Sequence, residues 1–137
     1  MSQSMMLCNW TTVQGDGNTV IQNEADWLDT SGYQDACFYL QIGGINTGAG
    51  TTVLDLQCAP TKDDVFFTAK AGSTPAIARF SLTSSTTLGV QTLVISRWAT
   101  EANQPLSKYL RWSIAFPASQ QTTVTFRIWV TLNQAGY

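Results

Sequence analysis

Two segments near the end of the chain alternate so strictly that they admit one kind of backbone. In Lys108–Phe116, Leu110, Trp112, Ile114 and Phe116 share one parity; in Thr122–Leu132, so do Val124, Phe126, Ile128, Val130 and Leu132. A period of two gathers these side chains on one face of an extended strand, whereas a helix would scatter them around its circumference. Other short apolar runs recur between polar turn clusters, the pattern of an all-β sandwich or barrel. Leu7–Val13 and Asn18–Gln22 flank Gln14-Gly15-Asp16-Gly17, an Asp-Gly turn of the kind that joins hairpin strands. Ala36–Ile42 carries Phe38, Leu40 and Ile42 on one face and Cys37, Tyr39 and Gln41 on the other. Thr51–Cys58 places Leu54, Leu56 and Cys58 inward and Val53, Asp55 and Gln57 outward, so both strands want a core on one side only. Ile77–Leu82 and Leu88–Trp98 are further strands. The latter is apolar on both parities, with Leu93 and Ile95 on the second, and calls for cover on both faces, within the domain or from another subunit.

Composition agrees with that reading. A length of 137 residues suits one domain. Charged residues make up only 12%, about half the globular norm of roughly 25%, while 11% are aromatic, which argues against disorder. Serine, threonine and glutamine stand in for the missing charges, as in strands and turns. A net charge of −2 offers no phosphate-neutralising excess, so nucleic acid is not an expected partner. No stretch approaches the roughly 20 apolar residues of a membrane span. The first ten residues have neither a basic segment nor a long apolar core, so no cleaved signal is expected, and residues 1–7 read as a flexible arm or loose end.

After Pro60 the period changes. Thr61-Lys62-Asp63-Asp64 fits a capping box, with the Thr61 hydroxyl accepting an amide and Asp64 reaching back. Val65, Phe66, Ala69 and a stop at Gly72 suit one short helix near residues 62–71, although Val65-Phe66-Phe67-Thr68 suits a strand as well. Gly43–Gly50 reads as a flexible hairpin tip. It lacks the lysine and following helix of a phosphate loop.

Chemistry finds little purchase. The chain has no histidine, which removes Ser-His-Asp and Cys-His nucleophilic pairs, histidine zinc sites and imidazole proton shuttles together. Asp63 and Asp64 are neighbours and point apart, suiting a helix first turn better than an acid-base couple. Asp26, Asp29 and Asp35 lack the spacing of a calcium loop and read as turn caps. Ser107 and Lys108 fall on opposite faces of a strand, which argues against a dyad. No catalytic residue, no metal and no cofactor is therefore expected. Cys8, Cys37 and Cys58 lack metal-ligand spacing; three reduced thiols fit, as does one disulfide with a free thiol.

If Pro117–Gln121 is a five-residue hairpin loop, counting back sets Leu110 opposite Ile128, Trp112 opposite Phe126 and Ile114 opposite Val124. The outer face then pairs Tyr109 with Trp129 and Arg111 with Arg127. These residue types concentrate at interface hot spots. Two facing guanidinium groups need an acidic neighbour, for which Asp55 is the internal candidate, or an external anion. Tyr109, Arg111, Arg127 and Trp129, with Leu93 and Ile95, are the candidate protein interface. Solvated cross-strand packing and a ligand platform are the alternatives.

Trp27-Leu28-Asp29-Thr30-Ser31-Gly32-Tyr33-Gln34-Asp35, Phe38-Tyr39-Leu40, Leu54-Asp55-Leu56-Gln57, Pro60-Thr61-Lys62-Asp63-Asp64, Tyr109-Leu110-Arg111-Trp112 and Phe126-Arg127-Ile128-Trp129 together span about 100 residues. In this arrangement the chain resembles the small β-sandwich or jelly-roll structural proteins of tailed-phage virions, of the capsid decoration (cement) and head-fibre types. The resemblance implies an antiparallel sandwich of about eight strands. It also implies a non-enzymatic subunit, often a homotrimer, assembled in the host cytoplasm and seated on the major capsid protein or another virion protein. The Tyr109–Trp112 run is similar, too, to the final strands of galactose-binding jelly rolls. By that second likeness the chain would be a carbohydrate-binding module, with Trp27, Tyr33 and Trp98 as the aromatic candidates.

Overall fold

The computed structural model describes residues 2–46, 50–68, 78–83, 89–95 and 107–134. Among these residues the alternating segments become nine strands: β1 (Ser2–Gly15), β2 (Thr19–Ile21), β3 (Leu28–Asp29), β4 (Tyr33–Asn46), β5 (Thr52–Ala59), β6 (Ala78–Leu82), β7 (Gly89–Ile95), β8 (Tyr109–Ala115) and β9 (Thr122–Gln134). A short helix, α1 (Asp64–Thr68), follows β5, and a 3-10 turn, Glu24–Asp26, lies between β2 and β3. One sheet has the order β1-β9-β4-β7 and the other β2-β8-β5-β6, with β3 also pairing β8. Every pairing is antiparallel. The chain crosses repeatedly from one sheet to the other, which is the winding of a jelly roll.

The inward parity of both sheets forms the core. Phe38, Leu40, Ile42, Val124, Phe126, Ile128, Val130 and Leu132 come from the first sheet, and Leu54, Leu56, Leu82, Leu110, Trp112 and Ile114 from the second. Trp112 and Phe126 meet edge to face, centroids 5.2 Å apart at 87°, an arrangement aromatic quadrupoles favour. Fully burying each such side chain contributes about 1.5–3 kcal/mol.

Several expectations are corrected here. β8 and β9 are not a hairpin: they lie in different sheets, so Leu110 and Ile128, Trp112 and Phe126, and Ile114 and Val124 face the same core from opposite sheets. Apolar matching cannot distinguish strand neighbours from partners across a sandwich, because both geometries turn the same parity inward. The Asp16-Gly17 turn likewise passes from β1 in one sheet to β2 in the other. Gly43 and Gly44 do not open a loop, since β4 runs on to Asn46 and leads to β5 in the opposite sheet. Residues 2–7, read as an arm, are strand: Ser2 pairs with Asn133 and Met6 with Trp129. Helix α1 begins at Asp64, inside the expected 62–71; Gly72 lies outside the described residues.

Candidate functional site

The two sheets present very different outer faces. On β8 and β5 the outward parity is covered. Arg111, opposite Gln57, is only 1% exposed and packs against two aromatic rings, its guanidinium 3.9 Å from the Phe67 centroid and 5.1 Å from that of Trp27. Its Nε donates to Gln57 Oε1 at 2.9 Å and its Nη1 to Asp64 Oδ1 at 2.7 Å. Trp27 and Phe67 themselves pack edge to face at 4.8 Å. One row along, Asp55 is opposite Ser113 and Arg79, and receives both Arg79 Nε at 2.7 Å and Nη2 at 2.9 Å. The 3-10 turn and α1 thus fold over this sheet and make a second, partly polar layer of packing.

That layer corrects the reading of β5 as covered on one side only, for Asp55 and Gln57 are buried. Asp55 answers Arg79, and Asp64, expected to close a capping box, answers Arg111 instead. The Thr61 hydroxyl does accept the Asp63 amide, at 3.2 Å.

On the first sheet the outer face is open. Met6, Trp129 and Tyr39 lie in one row across β1, β9 and β4, with Arg127 opposite Gln41 nearby. Trp129 and Tyr39 are each 37% exposed and Trp10 44%. Arg127 Nε donates to Gln41 Oε1 at 2.7 Å, its guanidinium lies 4.8 Å from the Trp10 ring, and it makes no ion pair among the described residues. Trp10 reaches this position because β1 shifts register between Met6 and Cys8 and again between Cys8 and Thr11; such bulges re-aim side chains. Gly43 makes room for it: a Cβ there would stand 2.7 Å from the Trp10 ring.

The four residues expected to form one patch therefore separate. Arg127 and Trp129 belong to the open face, whereas Arg111 is interred in the opposite one. Tyr109 is half-buried there, with Lys62 Nζ at 5.4 Å and Lys108 Nζ at 5.3 Å from its ring. The side chains of Leu93 and Ile95 lie outside what is described, although the β7 backbone pairs with β4. Tyr39 was legible on the outward parity of β4. Trp10 was missed, because a bulge breaks the period that would have assigned its side.

Of the aromatics proposed for sugar, Trp98 lies outside the described residues. The Trp27 ring is engaged by Phe67 and Arg111 and its Nε1 donates to the Gln22 carbonyl at 2.8 Å, so it does not offer a free stacking surface. Tyr33 is half-buried, its hydroxyl bonded to Gln3.

The β1 bulge also shapes a groove of about 640 Å³, lined by Met6, Leu7, Cys8, Gln22, Asp26 and Trp112, among others. Burial pushes the Cys8 thiol up to about 11, against a smaller opposing pull from the Ile128 backbone. A neutral thiol without a base is a poor nucleophile. Gln22 is spent on structure, its Nε2 donating to Leu7 O at 2.9 Å and its Oε1 accepting the Trp112 amide at 3.2 Å. The Asp29 carboxyl is held below its usual range by Ser31, whose amide it accepts at 2.9 Å, which makes it the turn cap expected. No group of three or more potential metal ligands occurs among the described residues, and no helix among them is long and apolar enough to cross a membrane.

No family model matches the sequence, and no curated protein does. Solved structures similar to it include a chain from Bacillus endospore appendages, which form a family of disulfide-linked pili. It is 10% identical with a TM-score of 0.50, and the match covers 98% of this chain and 88% of that one. A chain of infectious bursal disease virus, Gx strain, is 14% identical with a TM-score of 0.50 over 99% of this chain and 33% of its own, so the present chain spans about a third of it. At these identities the likeness is one of fold.

Proposed function

We propose that this chain is a non-enzymatic structural subunit of a virus particle. In this reading it associates with copies of itself, as a trimer, and decorates the particle by binding the major capsid protein or another virion protein. The observation that carries the reading is the open face of the first sheet, where Trp10 packs on Arg127 and the exposed Tyr39 and Trp129 form the neighbouring row. Exposed aromatics beside an arginine are the groups that dominate protein contacts when they are desolvated. The jelly-roll likeness to a virus chain and to a pilus chain supports a role in assembly, and free Cys8, Cys37 and Cys58 suit assembly in a reducing cytoplasm.

Native mass spectrometry of the full chain at micromolar concentration is expected to show an oligomer. Trp129→Ser should weaken it by about thirtyfold, the loss of one hot-spot residue. A monomer at every concentration would remove the self-association on which the reading rests.

A further inference from the structure

The groove beside β1 holds a polar atom that the fold leaves unused. Its lining combines β1 of one sheet with Trp112 of β8 in the other, and with Asn23 and Asp26 in the turn after β2. Trp112 is 5% exposed and its Nε1 is wholly buried, yet that N–H has no hydrogen-bond partner among the described residues. Buried donors are paired in nearly all native folds, so this one lacks a partner that the chain itself does not supply. The Cys8 thiol stands beside it, but a thiol is a weak acceptor and does not satisfy it. Asp26 is exposed at the same groove and makes no ion pair among the described residues. Met6 and Leu7 add an apolar wall. Gln22 fixes the frame: its Nε2 donates to Leu7 O at 2.9 Å and to Asp26 O at 3.2 Å, and its Oε1 accepts the Trp112 amide. Walls tied together in advance spare a ligand the cost of ordering them. The volume, about 640 Å³, lies in the range of small-molecule sites.

We propose that this groove binds a small aliphatic amine that also carries a neutral carbonyl group. The carbonyl oxygen accepts the Trp112 Nε1–H, the Cys8 side chain turning aside to admit it. The ammonium pairs with the Asp26 carboxylate, and the hydrocarbon lies against Met6 and Leu7. Asp26 sets the sign of the ligand, because a carboxylate or phosphate in the same groove would meet a like charge. Binding here is independent of self-association through the open face.

Leucyl-leucinamide is a probe with all three features. Added to the isotope-labelled full chain, it should shift the Trp112 indole N–H signal in NMR spectra until the site saturates. That signal is identified by its loss in Trp112→Phe, which removes the N–H and keeps a ring against Phe126. Calorimetric titration compares two further probes. Leucyl-leucine ends in a carboxylate and N-acetyl-leucyl-leucinamide lacks the ammonium, and each should bind about tenfold more weakly. Asp26→Asn, on an exposed turn, should weaken leucyl-leucinamide by about tenfold and bring it level with the acetylated probe, a comparison that holds even if Trp112→Phe disturbs the core. An indole signal unmoved at millimolar probe overturns the site. Equal affinity for the three probes, or no loss in Asp26→Asn, overturns the ligand class assigned to it.

Discussion

Arg111 is the residue on which the covered face depends. It is almost fully buried, yet among the described residues its charge is met by one carboxylate, that of Asp64, which is itself 73% exposed. The rest of its stabilisation comes from Gln57 and from the Phe67 and Trp27 rings. Removing the guanidinium would leave a void beside two rings and leave Gln57 without its donor, so Arg111→Ala should lower stability by about 3 kcal/mol. Asp64→Ala should lower it by about 1 kcal/mol, because water already screens that carboxylate. Urea midpoints compared at a common slope will rank the two variants. Equal losses would mean that neither the rings nor Gln57 contribute.

At the scale of elements, the bulged strand β1 decides the most. Its extra residues carry Trp10 to the outer face and set Cys8 against the core, where burial raises the thiol from an ordinary 9.0 to about 11. At pH 8 the thiolate fraction is then about a hundredfold below that of an unperturbed cysteine, and alkylation of Cys8, followed by peptide mass spectrometry, should slow in proportion. The sign for stability follows from the same shift. The folded state holds this proton more tightly than the unfolded one, so the contribution is fully present below pH 9.0 and is lost as pH rises toward about 11.

Elements also mark the limit of what the sequence discloses. The inward parities of Phe38, Leu40 and Ile42, of Leu54 and Leu56, and of Val124, Phe126 and Ile128 were all legible, because burial on one face imprints a period of two. Which sheet each strand joins was not legible. A five-residue connection such as Pro117–Gln121 serves a hairpin or a crossing between sheets equally, and the pattern inward is the same. The open face was legible in part for that reason: Tyr39, Arg127 and Trp129 follow from parity, but pairing Arg111 with Arg127 required a register that does not exist. Arg111 belongs to the other face, buried by a helix whose first residue, Asp64, pairs with it.

For the molecule as a whole, the winding places strands remote in sequence side by side: β1 pairs with β9, and β4 lies between β9 and β7. Few native contacts can form before long loops close, which slows folding. Refolding followed by tryptophan fluorescence should take milliseconds to seconds, in the range of all-β domains of this size. A microsecond phase carrying the full amplitude would contradict a transition state built on such distant pairings.

Ser2 lies opposite Asn133 on adjacent strands, so the first and last described strands start and finish at one corner of the sandwich. A peptide or fluorescent protein joined at Ser2 or at Asn133 would project from that same corner. Ser2 and Asn133 can therefore be bridged by a short linker and the chain reopened at a turn elsewhere, giving a circularly permuted display scaffold whose exposed sheet is left untouched.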